Sequence, residues 1–144
     1  MPILVEHAQF LLESIKETNE SLYFDIVAWV IMPDHFHLII NPRNNDLSDI
    51  LKRIKLKYSY KYRHLHDLYR GTLWQNRYWD HVIRDQADMN NHIEYIHYNP
   101  VKHGFVKNPF AWPHSSINIY LKEGIYTKDW GVQDTSFGGY DFGE

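Results

Sequence analysis

The chain has 144 residues, 44% of them hydrophobic and 23% charged, the size and composition of one globular domain rather than two. It has no cysteine, which excludes disulfides, thiolate metal sites and cysteine nucleophiles, and no apolar run reaches the roughly 18 residues of a membrane helix. The formal net charge of −3, taken as an average, argues against nucleic-acid binding. From the N-terminus, Val5, Ala8, Leu11, Leu12 and Ile15 recur at helical spacing and predict a helix over 5–18. Residues 22–32, rich in β-branched and aromatic side chains, predict a strand. Met32-Pro33-Asp34 predicts a turn and 35–40 a second strand, so the pair reads as a hairpin. Asn45 or Asp46 can cap a long helix with apolar positions from Leu47 to Leu68, ended by Gly71. A strand is expected at 78–84, then a helix from about 86 to 98, capped by Asp85 and stopped before Pro100. Ser115 or Ser116 can start a short helix ended at Gly124, and the Gly-rich tail from Trp130 reads as loosely attached.

The order helix, hairpin, helix, strand, helix implies an α+β layer sandwich. One domain is expected over 1–144, with its core over about 1–110 and a last helix and tail over 111–144. A split βαβ arrangement of ferredoxin type opens on a strand, whereas only four residues precede the first helix here. The expected fold is therefore a ferredoxin-like sandwich with an antiparallel sheet that lacks its usual first strand.

Charge is unevenly spread. Residues 1–50 carry two cations against eight acids, whereas residues 51–84 carry nine cations against two acids. Tyr58, Tyr60, Tyr62, Tyr69, Trp74, Tyr78 and Trp79 interleave with this basic block. Cations for phosphates and rings for bases are what a single-stranded nucleic-acid groove uses. The plainer reading is the solvated face of a helix.

Ten histidines include two H-x-H pairs, His35/His37 and His64/His66. On a strand, residues i and i+2 face the same way, so His35 and His37 can converge on one divalent metal while Phe36 faces the core. On a helix they diverge, which leaves His64 and His66 apart. In the helix before Pro100, Tyr95 and Asn99 share a face at i, i+4, with His92 one turn earlier. A tyrosine beside a metal site is a candidate nucleophile. The alternatives are two ordinary histidines at a sheet end, and a packed tyrosine with a helix-ending asparagine.

Several segments occur together in a familiar order: Val30-Ile31-Met32-Pro33-Asp34-His35-Phe36-His37-Leu38-Ile39, the run from Trp74 to Arg84, His92 to Pro100 with Val101-Lys102-His103-Gly104, and Trp112-Pro113-His114-Ser115-Ser116. Over roughly residues 22–130 the chain resembles the REP-associated tyrosine transposases, a branch of the single-tyrosine HUH (insertion-sequence-200-like) transposases.

The resemblance implies that His35, His37 and Asn99 hold Mg²⁺ or Mn²⁺. It implies that Tyr95 attacks a DNA phosphodiester to give a 5′-phosphotyrosine and a free 3′-OH. His92 is the candidate for assisting the phenol. The implied substrate is single-stranded DNA with hairpins, with Lys52, Arg53, Lys55, Arg63, Arg77 and Arg84 as phosphate contacts. Trp74 and Trp79 either stack on bases or lie in the core. The implied protein is cytoplasmic, of bacterial type and nucleoid-associated, and acts as a monomer or homodimer without a membrane. The absent first strand suggests a shortened chain, and keeps open a truncated or domesticated copy that holds DNA hairpins without cutting. An unrelated metal hydrolase is the third reading. It would need acidic ligands, and Asp34, on a strand, would point to the face opposite His35.

Overall fold

The computed structural model describes residues 4–66 and 85–132. The strand expected at 78–84, the stop at Gly71, Leu68, Trp74, Trp79, Arg77, Arg84 and the tail from 133 lie outside the described residues. A 3-10 turn at Leu4–His7 leads into α1, Ala8–Ser21. The helix starts and ends three residues later than its apolar spacing predicts. Its polar positions are absorbed by the helix itself: Ser14 Oγ donates to the Phe10 carbonyl (2.7 Å) and Thr18 Oγ1 to the Ser14 carbonyl (2.8 Å).

β1, Asp25–Ile31, and β2, Phe36–Asn41, form an antiparallel hairpin with Ile31 opposite Phe36 and Val30 opposite His37. The Met32 N–H closes the turn on the His35 carbonyl at 2.8 Å. Alternation then sorts the side chains onto two faces. Trp29, Ile31, Phe36, Leu38 and Ile40 meet one apolar cluster, and Ala28, Val30, Met32 and Ile39 meet another. Phe36 faces the core as its place between two histidines predicts.

The first cluster is covered by α1 and by α2, Leu47–His66, through Leu11, Ile15, Ile50, Ile54 and Tyr58. Of the two possible caps for α2, Asp46 is the one whose carboxylate accepts from the Ser48 N–H, at 3.1 Å; Asn45 instead donates to the Tyr23 carbonyl. The second cluster is covered by α3, Gln86–Lys102, through Met89, Ile93 and Ile96. Asp85 caps α3 as expected, accepting from the Asp88 N–H at 2.8 Å.

The stop before Pro100 is overturned: α3 passes through Pro100 to Lys102. Proline already has a helical φ; inside a helix it forfeits the bond to the carbonyl four residues back and crowds that carbonyl. Asn99 and Pro100 are buried, and their carbonyls accept from His103 N–H (3.0 Å) and Phe105 N–H (2.9 Å). Packing and these closing bonds offset the local preference.

The segment after the 3-10 turn Pro109–Ala111 runs along the outer edge of β1. The Ile31 N–H donates to the His114 carbonyl (2.8 Å), the Ser116 N–H to the Trp29 carbonyl (3.0 Å), and Trp112 Nε1 to the Ile31 carbonyl (3.0 Å). The Trp112–Ser116 motif therefore covers a sheet edge. The short helix α4, Ile117–Lys122, follows, with Ser115 Oγ accepting from the Ile117 N–H. Gly124, at φ 77°, turns the chain away after it, in the backbone region that favours glycine.

Candidate active site

The site lies between the start of β2 and the C-terminal half of α3. His37 is on β2 and His35 two residues before it, in the turn. Their ring centres are 5.0 Å apart and the planes nearly perpendicular, at 88°. Two imidazoles on one ion with bonds of about 2.1 Å need ring centres roughly 5 Å apart, so the pair fits a shared metal. His35 Nδ1 is engaged by Asp34 Oδ1 at 2.7 Å, while its Nε2 is buried without a hydrogen-bond partner. An imidazole with one nitrogen fixed by a carboxylate and the other orphaned inside the protein is what a metal ligand looks like before metal is added. His37 Nε2 and Asn99 Oδ1 are likewise buried atoms. Among the described residues, no three His, Asp or Glu side chains are grouped to hold a metal. The buried atoms contributed by β2, its turn and α3 are two imidazole nitrogens and an amide oxygen.

The expectation that Asp34 faces away is corrected. It sits in the turn, not in the strand, which lets its carboxylate reach the imidazole next to it. That hydrogen bond, more than any other influence, holds the Asp34 carboxyl below its ordinary value; burial opposes it and the charges of His35 and His103 add to it.

Tyr95 comes to the pair from α3. Its ring centre is 5.9 Å from that of His37, edge to face, and the side chain is only 2% exposed. Asn99 follows one turn on, fully buried. The next residue on that face, two turns after Tyr95, is Lys102, whose Nζ donates to Tyr95 Oη at 3.1 Å and lies 4.8 Å from its ring centre. Lys102 escaped sequence reasoning because the helix was expected to end before it; the i, i+7 spacing was the signal that could have found it. His103 also joins, its ring centre 6.0 Å from that of His35.

His92 is buried one turn before Tyr95 and is held by its own helix, with Nδ1 2.8 Å from the Asp88 carbonyl and 3.3 Å from its carboxylate. Tyr98 turns another way, towards Trp130, at 6.5 Å between ring centres. His64 and His66 diverge as helical geometry requires: His64 stacks on Tyr60, and His66 Nε2 meets His7 Nε2 at 3.0 Å.

The basic helix is not brought to the histidine pair. Lys52, Arg53, Lys55 and Arg63 lie on α2, in the layer that packs against Phe36 and Leu38. Part of its charge is engaged. Arg53 pairs with Asp49 at 3.2 Å, and Lys61 meets Glu17 at 2.8 Å and Glu13 at 3.7 Å. Lys52 is exposed, and burial pushes Lys55 below the ordinary lysine value.

No helix among the described residues is long and apolar enough to cross a membrane. Residues 3–99 match the family described as "Transposase IS200 like". A Haemophilus influenzae relative assigned to the REP-associated tyrosine transposases is 36% identical over 138 residues, which span 89% of this chain and 78% of that one. The REP-associated tyrosine transposase of Escherichia coli K12 is 34% identical over 137 residues, 94% of this chain and 79% of that one. A solved REP-associated tyrosine transposase bound to a REP hairpin superposes with a TM-score of 0.79 at 34% identity, covering 96% of this chain and 82% of that one. The α+β fold agrees with the superposition, and the chain belongs to the IS200-like transposase family, in its REP-associated tyrosine transposase branch.

Proposed function

We propose that the chain cleaves and rejoins single-stranded DNA beside hairpins, with Tyr95 as nucleophile and His35, His37 and Asn99 as the ligands of Mg²⁺ or Mn²⁺. The observation that carries the proposal is the edge-to-face approach of Tyr95 to His37, at 5.9 Å between ring centres. The related transposase bound to a REP hairpin supports hairpin DNA as the substrate.

Each side chain has a task. Asp34 orients His35 and leaves Nε2 as the donor atom. His37, on the same face, supplies the second imidazole. The metal, when bound, supplies Lewis-acid stabilisation of negative charge on the scissile phosphate. α3 holds the Tyr95 ring by burial, so Oη approaches phosphorus from a fixed direction. Oη–P bond formation breaks the P–O3′ bond and leaves a 5′-phosphotyrosine and a 3′-OH. The phosphodiester energy is kept in that bond, so rejoining needs no ATP. His92, packed one turn before Tyr95, supports the same helical turn and remains the candidate for assisting the phenol from that side. Lys52, Arg53, Lys55 and Arg63 form a basic strip for phosphates on the far layer, so DNA that meets both must pass around the sheet.

Incubation with hairpin-bearing single-stranded DNA and Mn²⁺ should give a protein–DNA adduct that survives denaturation. Tyr95→Phe should bind the hairpin and form no adduct, whereas Tyr98→Phe should retain both activities. A wild-type chain that binds hairpins but gives no adduct at any Mn²⁺ concentration would establish the binding-only reading. Adduct formation by Tyr95→Phe would remove Tyr95 as nucleophile.

A further inference from the structure

We infer that Lys102 is a catalytic residue of the same reaction, its ammonium holding the Tyr95 oxygen by a charge-assisted hydrogen bond as that oxygen attacks phosphorus and again as it leaves. The inference rests on Tyr95 being the nucleophile. Nζ lies 3.1 Å from Oη, within hydrogen-bond distance and on the atom that must change charge.

A phenol is a poor nucleophile while protonated, and at neutral pH a free one is almost wholly so. The Tyr95 side chain is 2% exposed, so water does little to stabilise negative charge growing on Oη. A cation at hydrogen-bond distance favours that charge, and a bond to an ionised partner is about twice as strong as a neutral one. Lysine suits this because it offers three donors and no acceptor. In cleavage the Oη–P bond forms and the P–O3′ bond breaks. The phenolic proton passes to solvent and the 3′-oxygen takes one from solvent, while Lys102 keeps its own proton throughout. In rejoining, a 3′-OH attacks, the Oη–P bond breaks, and the departing oxygen returns to the same ammonium. One residue therefore lowers the barrier in both directions.

The geometry depends on the helix running through Pro100. Only a helix unbroken to Lys102 sets residues 95 and 102 two turns apart on one face. The same face carries Asn99 between them, and the Tyr95 ring at one end of that row is the part shown to meet His37.

The test uses the full chain, hairpin-bearing single-stranded DNA and Mn²⁺. Lys102→Ala should bind the hairpin with affinity within about twofold of wild type, while cleavage at saturating protein slows by about 10- to 100-fold, the range expected for one hydrogen bond to a charged group. Rejoining should slow by a similar factor. Lys102→Arg, which keeps the cation, should recover most of the rate. Added propylammonium should partly restore Lys102→Ala and do nothing for wild type, a rescue that a merely structural lysine would not permit. The inference is overturned if Lys102→Ala cleaves at the wild-type saturating rate and only binds DNA more weakly, since Lys102 would then be a phosphate contact. It is equally overturned if a folded Lys102→Ala chain cleaves slowly and neither arginine nor the amine restores it. Tyr95→Phe in parallel separates the two ideas: its adduct formation would defeat the nucleophile itself, whereas loss of the adduct there with an unaffected Lys102→Ala would defeat only the role of the lysine.

Discussion

Asp34 and His35 are neighbours in the chain, and the turn between β1 and β2 folds them onto each other, carboxylate Oδ1 to imidazole Nδ1 at 2.7 Å. A metal-ligating histidine commonly has its second nitrogen held in this way, which fixes the ring and raises the basicity of the donor. The contact is part exposed, so it is weak as a stability device; its consequence is for the donor atom. Asp34→Ala should weaken Mn²⁺ affinity by about 10- to 100-fold and leave the unfolding midpoint within the error of the wild type. Titration of the purified chain with Mn²⁺, read by paramagnetic line broadening, checks this. Equal affinities would show that the carboxylate does not tune the ligand.

The basic helix makes a separable prediction. Lys61 is paired with two glutamates of α1, and its hydrogen bond with Glu17 lowers the Glu17 carboxyl and raises the Lys61 ammonium. Lys52 is exposed at the other end of α2. Lys52→Gln with Arg53→Gln should reduce the salt dependence of hairpin binding by about one slope unit per lost phosphate contact. Lys61→Gln should change it less. Affinity measured between low and moderate salt decides; an unchanged slope in the double variant would mean that this strip is a solvated face.

The parts of the fold legible in the sequence were those set by strong local periodicity. Phe36 between two histidines in a β-rich run fixed both faces of β2, and His35 and His37 followed. Asp85 before an apolar-periodic run fixed the start of α3. What was not legible depended on distant packing. Pro100 reads as a stop because local sterics say so, and only the burial of Asn99 and Pro100 carries α3 onward. Lys102 was hidden by that same error. Asp34 faces away from His35 only if both lie on a strand, but β2 begins at Phe36, one residue later than the alternation predicts, and leaves both in the turn. The joining of His97 to residues 19 and 29 positions later has no local signature at all.

That last cluster is testable as a structural element. His97 is fully buried, with Nε2 2.8 Å from Ser116 Oγ and Nδ1 2.8 Å from Tyr126 Oη. Ser116 Oγ also accepts from the Trp29 N–H at 3.0 Å, so one hydroxyl ties α3 to the outer edge of β1. Ser116→Ala removes that hydroxyl and leaves the part-buried Trp29 N–H and the buried His97 Nε2 to find other partners. The expected cost is about 1–3 kcal/mol, chiefly from the buried His97 nitrogen losing its bond. Urea unfolding followed by tryptophan fluorescence measures it. A change below about 0.5 kcal/mol, as for an ordinary surface substitution, would show that the network is not cooperative.

The alkaline limit of stability should be set in part by Tyr58. This side chain is fully buried among Leu11, Ile15, Ile50 and Ile54, between α1 and α2. Burial, with smaller contributions from Tyr62 and Glu6, pushes its phenol up to about 12. The unfolded chain titrates the same phenol near 10. Between these values the unfolded state has lost a proton that the fold retains, so stability is complete below about pH 10 and falls as pH rises through about 12. For this group alone the loss is about 1.4 kcal/mol by pH 11 and approaches about 3 kcal/mol above pH 12. Burial also raises Tyr120 and Tyr126, so the total alkaline slope is steeper than one proton. Tyr58→Phe keeps the ring and deletes the titrating oxygen. It should unfold in urea with a shallower dependence on pH between 9.5 and 11, by up to one proton per molecule, while its stability at pH 7 stays close to that of the wild type. Identical slopes for the two proteins would place the Tyr58 hydroxyl in contact with water and contradict its burial between the helices.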